Sequence, residues 1–199
     1  MTTKAQTKSF EQFIKMIRTW LIDLGVNTQL FNELVEDEAL PIRVRTLAVG
    51  VLIYLNVRVD LIPEDLPFIG SIDDMLVMIV GLAIIVPLIP EERLTYYVQK
   101  YEAVDKIGEY EQIVKQTLGV LWERFTRFVG TQQKRTFKKK TTEEVAQSAE
   151  LREALYDETM VFVANYGLDP ETLDKETKRL PSPEKVIGLL SSGLKEAQK

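Results

Sequence analysis

The stretch that decides how this chain folds is DLIPEDLPFIGSIDD, Asp60 to Asp74, where five carboxylates and two prolines separate two almost uncharged apolar runs. On its N-terminal side lies LAVGVLIYLNV, Leu47 to Val57, and on its C-terminal side MLVMIVGLAIIVPLIP, Met75 to Pro90. Neither run shows an alternating pattern, and neither has a polar face. A helix that is apolar all round must be enclosed by protein or by lipid. The two runs therefore read as paired helices, and the acidic stretch as their connection.

Structural roles account for every residue type in that connection. Asp60 can cap a short turn, Pro63 can start it, and Pro67 can stop it. Gly70 supplies a bend, and Ser71-Ile72-Asp73-Asp74 has the form of a capping box, which would put both aspartates in the first turn of the second helix. Each would gain a few tenths to about 1 kcal/mol from the helix dipole. The chemical alternative is an oxygen-ligated Mg²⁺, Mn²⁺ or Ca²⁺ held by Asp60, Glu64, Asp65, Asp73 and Asp74 in a metal-dependent enzyme. Against it, the spacing fits no calcium loop, and adjacent helical residues such as Asp73 and Asp74 point about 100° apart. The structural account is preferred, with no cofactor expected.

The segment Leu40 to Leu82 resembles the YkvA-like domain-of-unknown-function family. The likeness rests on Asp60-Leu61-Ile62-Pro63, Pro67, Gly70, Asp73 and Asp74. Two positions depart from the pattern: Arg58 stands where the family usually has proline, and Glu64 replaces the usual aspartate. The resemblance implies a helical hairpin, often predicted to be membrane-associated, and carries no activity.

Composition removes several chemistries. The 199 residues include no cysteine and no histidine, which excludes disulfides, thiolate and imidazole metal sites, and Ser-His-Asp or Cys-His nucleophiles. The formal charge of −5 disfavours general nucleic-acid binding, which needs a broad basic face. The polar N-terminus has no secretory pattern, so a cytoplasmic protein, associated with a membrane or not, is expected.

Elsewhere three-four spacing dominates, and the fold class is all-α: a helical bundle around the central hairpin, with a long amphipathic helix and a C-terminal extension of short helices. Ser9 to Gly25 and Asn27 to Glu38 form two helices, and Pro41 opens the first hairpin helix. Pro87 should stop the second near Val86. The rhythm from Leu94 to Val129 would make a helix over 50 Å long, about 1.5 Å per residue, unless broken near Gly108 or Gly119. TQQKRTFKKKTT reads as a basic linker over 131–142, dividing a 1–130 core, with its hairpin at 40–90, from a 143–199 helical segment.

Two surfaces are open to hairpin and linker. At helical rise Thr46 to Val57 spans about 18 Å and Met75 to Pro90 about 24 Å, short of a roughly 30 Å hydrocarbon layer. A soluble core needs no adjustment, whereas a hairpin dipping into one leaflet needs Arg45 and Arg58 to snorkel outward. Trp122, Arg124, Phe125, Arg127, Lys134, Arg135, Lys138, Lys139 and Lys140 compose a basic-aromatic segment suited to anionic headgroups, although a core stripe followed by a solvated linker is the simpler reading of the same residues. The function expected is a non-enzymatic docking module for a membrane surface or a protein partner, with the metal enzyme as alternative.

Overall fold

The computed structural model describes residues 4–56, 61–62, 67–166, 170–177 and 181–197. They are almost entirely helical, as the periodicity requires. In chain order the helices are α1 Lys4–Ile22, α2 Leu24–Glu36, α3 Ile42–Asn56, α4 Pro67–Ile85, α5 Glu91–Lys100, α6 Glu102–Asp105, α7 Ile107–Leu118, α8 Trp122–Thr131, α9 Thr142–Gln147, α10 Ala149–Asn165, α11 Pro170–Thr177 and α12 Pro183–Glu196. A two-stranded hairpin, β1 Thr136–Phe137 and β2 Lys140–Thr141, interrupts them.

The hairpin helices α3 and α4 lie at the centre. α3 is bounded by α2, α4, α9, α10 and the 3₁₀ turn Gln132–Lys134, while α4 is bounded by α1, α3, α7, α8 and α11. Ten consecutive residues of α4, Met75 to Ile84, include seven that are wholly buried. Among the described residues, Phe68–Leu88 is long and apolar enough to cross a membrane, and 78% of its apolar window is buried inside the protein. The amphipathic helices supply that cover: α1 contributes Phe13, Ile17 and Trp20, α7 Val114 and Leu118, and α8 Phe125 and Val129.

Arg45 contradicts the snorkelling expected of a hairpin in lipid. It is 8% exposed and points inward, its Nε donating to the Val35 carbonyl at 2.8 Å and its Nη2 to the Ala146 carbonyl at 2.5 Å. One guanidinium thereby serves carbonyls near the C-terminal ends of α2 and α9, where helices leave acceptors unpaired. Arg58 lies outside the described residues.

The rhythm from Leu94 to Val129 is broken several times. α5 ends at Lys100, a short turn intervenes, α7 begins at Ile107 beside Gly108, and it stops at Gly119, whose φ is +52°. Pro87 does end α4, which passes into the 3₁₀ turn Val86–Leu88. The first two helices part at Asp23 rather than Gly25, which sits inside α2. α5 is clamped onto α2 by an ionic group: Arg93 Nε and Nη2 donate to Asp37 at 2.8 and 2.5 Å, Tyr97 Oη donates to it at 2.9 Å, and Lys100 meets Glu33 at 2.5 Å.

The segment expected as a basic linker is folded. Gln132–Lys134 forms a 3₁₀ turn against α3, β1 and β2 pair with Thr136 opposite Thr141 and Phe137 opposite Lys140, and Thr141 then opens α9 with a reciprocal capping box to Glu144. The Thr141 backbone N–H, with Lys140 and the Thr141 hydroxyl, holds the Glu144 carboxyl down at about 2. The approach to α3 requires Gly50, where a Cβ would lie 2.6 Å from the Gln132 carbonyl carbon and oxygen. Gly50→Ala should therefore cost about 1–3 kcal/mol through overpacking, lowering the melting temperature by roughly 2–10 °C for a chain of this size. Gly130→Ala, with nothing within 4 Å of its Cβ, should leave it unchanged or raise it slightly; differential scanning calorimetry reads both.

Candidate functional site

The acidic connection enters the structure at its second half. Asp60, Pro63, Glu64 and Asp65 lie outside the described residues, so the turn and ligand roles expected of them concern residues the structure does not describe. Pro67 does not stop a turn; it is the first residue of α4, where a missing N–H costs nothing. Starting there brings the buried Phe68 and Ile69 into the helix, which a start at Ser71 would leave outside it. Gly70 is accordingly inside the helix and makes no bend. Ser71 does not cap: its hydroxyl donates to the Phe68 carbonyl at 2.6 Å, one turn back. Asp73 and Asp74 lie beyond the first turn, outside the strong part of the dipole field.

The two aspartates serve different neighbours. Asp73 is 0% exposed, and its Oδ2 accepts from Tyr54 Oη at 3.0 Å and from the Leu61 backbone N–H at 2.7 Å. It thus joins α4 to α3 and to the chain leaving α3. Burial, followed by the Asp73 and Asp74 charges, holds the Tyr54 phenol well above its ordinary pKa, so Tyr54 remains a donor. The Arg135 guanidinium lies over the Tyr54 ring, 5.4 Å from its centroid, and Phe128 meets the same ring edge-on at 5.9 Å. Burial pulls the Arg135 pKa below the usual arginine value. Asp74 instead accepts from Tyr166 Oη at 2.9 Å, tying α4 to the end of α10. Burial and then Asp74 raise the Tyr166 pKa.

This arrangement is a tie between helices. Each carboxylate receives hydrogen bonds from a tyrosine on a different element, and among the described residues no group of three or more acids is gathered where it could hold a metal ion. Sequence reading could not find Tyr54 and Tyr166, because nothing in an apolar run or 92 residues downstream marks a phenol as an aspartate's partner.

The basic-aromatic segment is divided by the fold. Phe125 is 0% exposed and Phe128 5%, so both face the core and cannot touch a surface. Trp122 is half-buried with Lys115 Nζ 5.0 Å above its ring. Arg135 is committed to Tyr54, while Lys138 pairs with Glu158 at 3.1 Å and Lys140 with Glu144 at 2.9 Å. Lys139 is exposed at the hairpin tip. The exposed side of α8 and the turn after it carries Arg124, Arg127, Thr131 and Lys134, at spacings of three and four. Arg124 is part-exposed and the other three are exposed.

The hairpin geometry and its Asp73 tie coincide with a family match. Residues 44–80 match the family described as Protein of unknown function (DUF1232). No curated protein and no solved structure gives a match. The DUF1232 stretch runs from Val44 in α3 to Val80 in α4 and so contains both Tyr54 and Asp73. The match covers a minority of the chain and brings no activity with it.

Asp73→Ala would leave the Leu61 N–H and the Tyr54 hydroxyl without this acceptor in a dry interior, at about 3 kcal/mol or more for two hydrogen bonds to a charged group. Tyr54→Phe, which removes one donor only, should cost about 1–2 kcal/mol, and Asp74→Ala less than Asp73→Ala because Asp74 is only half-buried. Urea unfolding midpoints rank the three.

Proposed function

We propose that this protein is a non-enzymatic helical docking module, with a YkvA-like hairpin as its inner frame and an anionic membrane surface as its docking target. The observation that carries the reading is a local reversal of charge. The chain is net acidic, yet between Lys115 and Lys140 it has eight basic residues and one acidic residue. On the outside of α8 and the turn after it, Arg127 and Lys134 are exposed, while Leu121, Phe125, Phe128 and Val129 pack into the core. Fixed cations on a rigid helix lose little entropy when they meet headgroup phosphates, and each basic group near such a surface contributes about 1 kcal/mol. The hairpin helices already have their apolar sides covered by protein, so docking through α8 asks for no unfolding.

The metal-dependent enzyme gains nothing from the geometry of Asp73 and Asp74, whose bonded partners lie on different elements. Titration calorimetry with Mg²⁺, Mn²⁺ and Ca²⁺ should give no binding heat and no rise in melting temperature; a saturable signal lost in Asp73→Asn would restore that alternative.

Sedimentation with vesicles containing phosphatidylserine tests the docking. Arg127→Gln with Lys134→Gln should weaken binding more than tenfold, since two cations contribute about 2 kcal/mol together. Lys138→Gln and Lys140→Gln should each do less, because Glu158 and Glu144 already neutralise those ammonium groups. A wild-type protein that stays in the supernatant at low salt would refute the lipid target.

A further inference from the structure

We propose that the cleft where α1 runs into α2, opposite the break between α5 and α6, binds a small organic amine through its ammonium group, held by Asp23 and Asn27. The site is separate from the docking surface on α8 and stands or falls without it.

The cleft has a volume of about 210 Å³. One wall is the α1–α2 rod, with Trp20, Asp23 and Asn27, and the other is Tyr101 with the start of α6, beside Tyr110 of α7. The second wall exists because Tyr101 is extended, at φ −125° and ψ 111°, and interrupts the helical path from α5 to α6. Trp20 and Tyr110 meet edge to face with their ring centroids 6.1 Å apart, so the lining is largely aromatic.

Most polar groups around the cleft are already engaged. Lys100 pairs with Glu33 at 2.5 Å and lies over the Tyr101 ring at 5.4 Å, Glu102 pairs with Lys106, and the Thr19 hydroxyl donates to the Lys15 carbonyl at 3.1 Å. Two groups are left. Asp23 occupies the N-cap position of α2, yet its carboxylate caps nothing, and among the described residues it forms no ion pair. Asn27, one helical turn on, is 4% exposed, and its carboxamide has no hydrogen-bond partner among the described residues. Buried polar side chains ordinarily have partners. The Asn27 polar atoms are not among those sealed in the interior, so they open on the cleft they line.

These two groups name the ligand. An ammonium group offers N–H donors only, and Asp23 with Asn27 Oδ1 supplies acceptors one turn apart on the same face. Glu102, Glu109 and Asp23 act on Tyr110 from close range against one cation, Lys106, so the local field also favours positive charge. A carboxylate or phosphate would be repelled by Asp23, and a hydrocarbon would leave Asn27 unpaired. The body of the amine lies against the aromatic lining, where a cation gains further from the rings. Pockets for drug-sized ligands measure about 300–1,000 Å³, so the amine that fits here is smaller.

Isobutylamine and benzylamine, with benzyl alcohol and benzoate as neutral and anionic counterparts, test the site on the full chain by titration calorimetry and ¹⁵N NMR at neutral pH. Each amine should bind saturably and move the Asn27 side-chain amide resonances, the alcohol should bind more weakly, and benzoate should not bind. Asp23→Asn removes a charge and no cap, so it should weaken both amines about tenfold with an unchanged melting temperature. Glu109→Gln, near Tyr110 but outside the cleft, should have little effect. Equal binding of the alcohol and the amines, tighter binding of benzoate, unchanged amine affinity in Asp23→Asn, or no saturable signal from either amine would each overturn the assignment. None of these outcomes bears on sedimentation with vesicles, which judges the docking separately.

Discussion

The structure depends on the need to enclose two helices that have no polar side. α3 and α4 expose so little because every direction around them is apolar, and each fully buried Leu, Ile, Val or Met side chain contributes about 1.5–3 kcal/mol when removed from water. That requirement dictates the rest of the chain. α1, α7 and α8 carry single apolar stripes that close over α4, while α2, α9 and α10 close over α3. Arg45 shows how complete the enclosure is, since even this cation is turned inward and used to satisfy backbone carbonyls of the covering helices.

Polar groups inside such a core are tolerated only with partners. The Asp73 carboxylate meets that condition by receiving Tyr54 and the Leu61 amide, which makes it a rivet between the hairpin helices and their connection. The same hairpin is where the DUF1232 match falls. A paired-aspartate signature at the head of an apolar helix invites a catalytic interpretation, yet here adjacent positions on one helix send the two carboxylates to different tyrosines. An arrangement of this kind fixes relative helix position.

Much of the fold was legible from spacing. The all-α class, the apolar hairpin and the stop at Pro87 follow from rules about which residues helices admit, and the structure agrees, whereas the long amphipathic helix expected from Leu94 to Val129 is divided at Tyr101, Lys106 and Gly119. The start of α4 was misplaced because two local signals compete there. Ser71-Ile72-Asp73-Asp74 looks like a cap, but Pro67 is equally good as a first residue, and burying Phe68 and Ile69 decides between them. The basic hairpin was missed for a different reason: Lys138 and Lys139 both take positive φ, at 49° and 66°, in a two-residue turn that ordinarily selects Asn and Gly. Lysine is a poor marker for that geometry, and the turn is held by strand pairing, the Glu158 ion pair and packing of the preceding turn on Gly50.

By itself the sequence determined that the protein would be helical, that a greasy pair of helices would form its centre, and that neither thiol nor imidazole chemistry could operate, because these depend on residue type and local period alone. Only the tertiary structure decided that Asp73 and Asp74 meet Tyr54 and Tyr166, that the Arg135 guanidinium lies over the Tyr54 ring, and that Lys138 pairs with Glu158. Those outcomes turn on which side chains distant segments bring together, and such pairing cannot be read from the order of residues along one of them.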